Sequence, residues 1–186
     1  MLTTGNSALL ILDVQNRGAA HFEKNKTFID NVNASIQTAR NKNIPIIFTC
    51  YNFREGAPEI NKNNKLFNTI SFLFASPKEG DNDVYKELNK QKNDFEVKKM
   101  RNSGFTGSEL EVLLKSLNVN HLVIGGFTTS GAVLSTVREA ADKDFKLTVL
   151  SDCCTDADEE VHKMLMEKIF TKQAEVMTKN DWSKTY

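Results

Sequence analysis

Three features of the sequence predict a doubly wound, three-layer α/β fold. Short apolar runs alternate with helical stripes along the whole chain, the pattern of a mainly parallel sheet with helices on both faces. Residues 8–14 (Ala-Leu-Leu-Ile-Leu-Asp-Val) are apolar except for Asp13, as a central strand covered on both sides requires. The 186 residues suffice for one sizeable core, so residues 1–186 read as a single domain. The apolar runs give about six strands, for which the ordinary order is 3-2-1-4-5-6.

The elements follow in turn. After the first strand, Phe28, Val32, Ile36 and Ala39 recur at helical spacing. Residues 44–49 form the second strand, with Pro45 near its start, where a missing N–H is tolerated. From Tyr51 to about Asp83 the chain is irregular, rich in Asn, Lys and Gly, and contains Pro58 and Pro77. A connection of that length is ordinarily functional. Residues 95–99 are a weak third strand. Thr106 to Glu109 has the form of a capping box ahead of a helical stripe at Leu110, Leu113, Leu114 and Leu117. Residues 121–125 are the fourth strand, and Ala132, Val133, Thr136, Val137, Ala140 and Ala141 mark a helix lying on the sheet. Residues 147–150 are the fifth strand, Val161 to Ile169 a further helix, and residues 174–177 a short last strand.

Composition excludes more than it assigns. Hydrophobic residues make up 40% and charged residues 26% of the chain, the balance of an ordinary soluble globular protein. Lys+Arg and Asp+Glu both number 24, so neither nucleic acid nor an anionic membrane is expected as a partner. No apolar run reaches the ~20 residues that span a bilayer, and residues 1–6 lack a secretory layout. Cys50, Cys153 and Cys154 have no zinc-ligand spacing, and adjacent Cys153 and Cys154 do not suit a mutual disulfide. The expectation is a reduced, cytoplasmic protein that acts on a small molecule.

Ligands of open α/β sheets bind beyond the carboxyl ends of the strands, near the point where strand order reverses. Asp13 ends the first strand there, Lys99 ends the third, and residues 125–132 (Gly-Gly-Phe-Thr-Thr-Ser-Gly-Ala) lead from the fourth strand into its helix. Each has a plainer reading alone: a turn residue, a member of a solvated cluster with Lys98 and Arg101, and a tight turn with an N-cap. Their common sheet edge favours function. Gly126 and Gly131 have the spacing of a Walker loop, but Ala132 and Val133 stand where that loop needs Lys and Ser or Thr. A receiver-type phosphoacceptor would need an Asp where this chain has Lys99. His121 opens a strand at the opposite edge, His162 reads as exposed on a helix, and His21 as a solvated loop residue. No metal site or cofactor is expected, and no His suits a Ser-His-Asp triad.

Asp13 in Leu-Asp-Val-Gln-Asn, Lys99 in Lys-Met-Arg-Asn-Ser-Gly-Phe, and residues 128–133 (Thr-Thr-Ser-Gly-Ala-Val) together resemble the isochorismatase-like hydrolases. The resemblance runs from about Ala8 to the end of the chain and includes residues 150–158 and 174–178. Thr-Thr-Ser-Gly followed by a cysteine marks the cysteine amidohydrolase branch. Residues 53–59 resemble members of that branch with loosely assigned substrates. The resemblance implies a Rossmann-like domain, a cis peptide between Phe127 and Thr128, and a homodimer or homotetramer. It maps a catalytic Asp–Lys–Cys set onto Asp13, Lys99 and the position held by Ala132.

A thiol at that position would lie at a helix N-terminus near a lysine, and both favour the thiolate. Asp13 would take the thiol proton and return it to the leaving amine, while Lys99 orients the carboxylate. The backbone N–H groups of Thr128 and Ala132 would receive the oxyanion. Asn16, Tyr51, Arg54 and Phe127 are candidate substrate contacts. Phe105 would join Tyr51 and Phe127 in an apolar wall, and Arg54 would face an anionic group.

The chain departs from the pattern at the decisive position, because alanine carries no nucleophile. Cys153 and Cys154, read as loop residues after the fifth strand, do not replace it. The Asp-x-His-x-x-His zinc set of the nicotinamidase branch is missing, residues 50–54 (Cys-Tyr-Asn-Phe-Arg) standing in that region. Three accounts follow: a cysteine amidohydrolase with its nucleophile replaced by Ala132 to trap substrate; a vinyl-ether hydrolase using Asp13 as general acid; and a non-enzymatic small-molecule binding protein that has kept the pocket.

Overall fold

The structure, a computed structural model, describes residues 6–185. The opening residues 1–5, where part of the absent secretory layout was read, lie outside the described residues, as does Tyr186. Six parallel strands form one sheet in the order β3-β2-β1-β4-β5-β6: β1 Ser7–Leu12, β2 Ile46–Tyr51, β3 Phe95–Lys99, β4 His121–Phe127, β5 Lys146–Thr155 and β6 Glu175–Met177. This is the predicted architecture. The order reverses between β1 and β4, which leaves a crevice beyond their carboxyl ends.

Both faces of the central strands are buried, which accounts for the near-continuous apolar run of β1. Leu9 and Ile11 face one layer, where they pack with Phe48, Val123 and the stripe Val32, Ile36 and Ala39 of α2 (Lys26–Asn41). Ala8, Leu10 and Leu12 face the other layer, with Leu110 and Leu114 of α5 (Leu110–Ser116) and Val137 and Ala140 of α6 (Leu134–Asp142). The period-two split of one apolar strand between two helical layers is what makes it a three-layer fold.

Several elements differ from the sequence reading. β1 stops at Leu12, so Asp13 lies just beyond the strand at φ 56°, a left-handed conformation that Asp tolerates better than most residues. β5 is ten residues long and includes Cys153 and Cys154, because its pairing to β4 shifts register between Ile124 and Gly126 and then resumes at Gly126↔Cys154. Both cysteines are therefore buried strand residues, not loop residues.

The expected capping box does not form. Glu109 sits at the N-cap of α5, Ser108 Oγ accepts from the Leu110 N–H at 3.1 Å, and the Thr106 hydroxyl donates to Glu139 of α6. The box needs Glu109 three residues inside the N-cap, and the helix starts three residues too late for that.

The long connection after β2 contains two short helices, α3 (Lys65–Ile70) and α4 (Phe72–Ala75), over a separate apolar cluster of Phe53, Ala57, Phe67 and Phe74. Past β6, α8 (Lys179–Lys184) buries Trp182 against the layer that holds α2. Between β1 and α2 lies α1 (Ala19–Phe22), and between β5 and β6 lies α7 (Glu159–Met164) with a π-helical turn at its end. Among the described residues no helix is long and apolar enough to cross a membrane.

Candidate functional site

Asp13 and Lys99 meet at the carboxyl edge although 86 positions separate them in sequence, because β3 and β1 flank β2. Thr49 on β2 bridges the gap: its backbone carbonyl accepts from the Asp13 N–H at 3.0 Å, and its hydroxyl donates to Asp13 Oδ1 at 3.1 Å. Lys99 Nζ lies 2.7 Å from Asp13 Oδ2, an ion pair. The ammonium also donates to the carbonyls of Arg101 (2.8 Å) and Asn102 (3.0 Å) and sits 3.5 Å from the centre of the Tyr51 ring. Lys99 is fully buried, so these contacts replace its hydration. It is not a solvated member of a basic cluster.

Burial dominates the protonation of the pair. It pushes Asp13 up to about 6, against the opposing pull of Lys99 and Thr49, and it draws Lys99 down against the attraction of Asp13. A carboxyl poised near 6 exchanges protons readily at neutral pH.

The segment after β4 is placed by two glycines. Gly126 has φ +148°, and a Cβ there would fall 2.3 Å from the Leu12 carbonyl oxygen. Only glycine allows β4 to approach the end of β1 so closely, one residue before Asp13. The peptide between Phe127 and Thr128 is cis, and Thr129–Val133 form a π-helical turn leading into α6. A Cβ on Gly131 would lie 2.6 Å from the Thr128 hydroxyl oxygen, which accepts from the Gly131 N–H at 3.1 Å. Ser130 N–H donates to Asp156 at 2.7 Å, Val133 N–H donates to the Thr128 carbonyl, and the Thr129 hydroxyl is hydrogen-bonded to His162 Nδ1 at 2.8 Å. His162 is thus half-buried against the turn, not exposed, because α7 packs directly on this segment.

Asp13, Thr128 and Ala132 line one cavity of about 410 Å³, within the range of small-molecule sites, and Tyr51 and Phe127 of the predicted contacts line it too. Lys99 stands behind Asp13, outside the lining. Three expected contacts are elsewhere. Arg54 pairs with Glu59 on the surface, its side chain 75% exposed. Asn16 is committed to backbone, donating to the Gly80 carbonyl and accepting from the Lys86 N–H, both at 2.9 Å. Phe105 packs in the core beside Phe145. His21 is not solvated but lies on α1, its ring 4.7 Å from that of Phe127.

Sequence reasoning missed Gln15, Arg17 and the wall supplied by Leu66, Ile70, Leu73 and Phe74. Gln15 ties the end of β1 to that of β2, exchanging hydrogen bonds with both backbone groups of Tyr51. The α3 signal was present: Asn64 caps Phe67 N–H at 3.1 Å, three residues before an apolar Phe67–Ile70 pair. Cys154 does not offer a substitute thiol, since burial raises it to about 12.

Comparison with known proteins agrees with this fold. The isochorismatase domain matches residues 7–181. The ureidoacrylate amidohydrolase RutB of Serratia proteamaculans (strain 568) is 29% identical over 169 residues, which span 78% of this chain and 68% of the relative. Among solved structures, a cysteine hydrolase from Pseudomonas syringae pv. phaseolicola 1448A superposes with a TM-score of 0.87 at 20% identity, covering 96% of this chain and 91% of that one. N-carbamoylsarcosine amidase from Thermoplasma acidophilum has a TM-score of 0.78 at 18% identity, over 94% and 97% of the two chains. With the family match spanning nearly the whole described fold, the chain belongs to the isochorismatase family of hydrolases.

Proposed function

We propose that the pocket is that of a cysteine-type hydrolase of small-molecule C–N bonds (amide, ureido or lactam), with Ala132 in the place of the nucleophile. As written, the chain binds its substrate and does not cleave it by a covalent route. The observation that carries this reading is the shared cavity of Asp13, Thr128 and Ala132, with Asp13 held by Lys99 and poised near 6. Two of the similar proteins bear the names of ureidoacrylate amidohydrolase and N-carbamoylsarcosine amidase, which supports the C–N reading.

In an Ala132→Cys variant the thiol proton passes to Asp13, and the thiolate sulfur attacks the carbonyl carbon. The C=O electron pair moves onto oxygen, where the N–H groups of Thr128 and residue 132 receive it. Collapse breaks the C–N bond, and the leaving nitrogen takes the proton from Asp13. Water then gives a proton to Asp13 and attacks the thioester; the departing sulfur recovers that proton. Asp13 lines the same cavity as residue 132, which suits it to carry the proton at each stage.

Ala132→Cys should therefore hydrolyse members of a panel of primary amides, ureido acids and lactams. The unsubstituted chain should be slower by a factor on the order of 10⁶. A folded Ala132→Cys variant with no turnover across the panel would sink the proposal. A second reading draws on Asp13 alone: a carboxyl near 6 can protonate an enol ether with no nucleophile at residue 132. It requires isochorismate cleavage by the chain as written, abolished by Asp13→Asn.

A further inference from the structure

Two charged side chains line the cavity, Asp13 and Arg17. Asp13 is already balanced by Lys99 at 2.7 Å, so the guanidinium is the charge left for a ligand. Arg17 is half-buried, and its Nε–H is buried without an acceptor. Its one side-chain hydrogen bond among the described residues goes from Nη2 to the neutral Asn82 amide oxygen at 2.5 Å, and its guanidinium carbon lies 4.9 Å from the centre of the Phe74 ring. Asp81 favours the charge from a distance but forms no ion pair with it among the described residues.

The neighbouring cations are committed elsewhere: Lys99 to Asp13, Arg54 to Glu59, and Arg101 to the carbonyls of Met100 and Glu59. A stacked guanidinium with a desolvated, unmatched donor is the arrangement that a carboxylate completes, through paired N–H···O contacts. The rest of the wall is largely apolar, with Leu66, Ile70, Leu73 and Phe74 closing around the same space. Such a wall suits a short hydrocarbon body between two polar ends.

We propose that Arg17 is a carboxylate subsite, so that the ligand of this pocket is a small monocarboxylic acid that presents its C–N group toward Asp13 and Ala132 and its carboxylate toward Arg17. The proposal rests on reading this cavity as the substrate site and adds the substrate's charge and polarity. Arg17 is a specificity-determining residue in this account. It takes the role that the sequence suggested for Arg54.

The test is calorimetric titration of the full chain with matched pairs: N-carbamoyl-β-alanine against N-carbamoyl-β-alaninamide, and succinamate against succinamide. The acids should bind about 10- to 100-fold more tightly than their uncharged partners, the range for a charge-assisted hydrogen-bonded pair. Arg17→Gln should narrow that gap to about threefold or less. Arg17→Lys, which keeps the charge and loses the planar fork, should leave an intermediate gap that added salt weakens further.

Equal affinity for acids and neutral partners, an unchanged gap in both Arg17 variants, or no binding of the acids overturns the proposal. Its failure is separable from that of the hydrolase reading. Turnover of neutral amides but not of acids by Ala132→Cys would retain the chemistry and reject the subsite. Arg17-dependent binding of acids with no turnover by Ala132→Cys would retain the subsite and reject the chemistry.

Discussion

The two ends of the same sheet bury polar groups in opposite ways. At the carboxyl edge, Asp13 and Lys99 form a 2.7 Å ion pair with Lys99 fully buried. At the amino edge, His121 sits between two hydroxyls, with Nδ1 2.9 Å from Ser7 Oγ and Nε2 3.0 Å from Thr148 Oγ1. Hydroxyls can donate or accept, so they satisfy a neutral imidazole, and burial pushes His121 down to about 4. The His121 ring is neutral at pH 7. The carboxyl edge has a counter-charge on hand, yet burial still lifts Asp13 to about 6. The Lys99 ammonium at 2.7 Å from Asp13, against the two hydroxyls around His121, is the difference between the two buried groups.

Lys99→Met tests this difference most severely. It leaves the Asp13 carboxyl buried without its cation, which should cost about 3–5 kcal/mol in urea unfolding. The double variant Asp13→Asn with Lys99→Met should recover most of that loss, because no unpaired charge remains. A loss below about 1 kcal/mol for Lys99→Met would mean that Asp13 is already neutral in the folded chain.

At the other edge, His121→Asn removes a ring matched to both hydroxyls and should cost about 1–3 kcal/mol. The pH dependence separates the two ends by sign. His121 has a folded value near 4, below its ordinary 6.5, so its contribution is present above 6.5 and lost as pH falls through 4. Asp13 has a folded value near 6, above its ordinary 3.8, so its contribution is present below 3.8 and lost as pH rises through 6. Between pH 4 and 6 the two slopes oppose each other. Unfolding measured across that window should show Asp13→Asn losing stability more steeply on acidification than the unsubstituted chain, and His121→Asn less steeply. Parallel curves for all three would remove the contrast.

The smallest effect belongs to Arg54→Ala. The Arg54 side chain is 75% exposed and outside the cavity, so ligand affinity should not change. A marked loss of affinity would return Arg54 to the site and weaken the case for Arg17.

The legibility of the site divides along the same line. Asp13, Lys99 and the turn holding Ala132 could be read from the sequence because each ends a strand or begins a helix, and strand ends on one edge of a parallel sheet converge. Arg17 could not. Its neighbours Asn82 and Phe74 lie in the connection after β2, 65 and 57 residues away, and periodicity carries no information about which loop folds over which. Asn16 and Arg54 looked equally available in sequence, and the fold consumed one in backbone hydrogen bonds and the other on the surface.

By itself the sequence determined the doubly wound sheet, its six strands and the absence of a nucleophile at Ala132, since apolar periodicity and residue identity are local properties. Only the tertiary structure decided that Asp13 is poised near 6, that the Cys153–Cys154 pair is sealed inside β5, and that Arg17 rather than Arg54 faces the cavity. Burial and the choice of partner depend on segments far apart in the chain, and they exist only once those segments have packed.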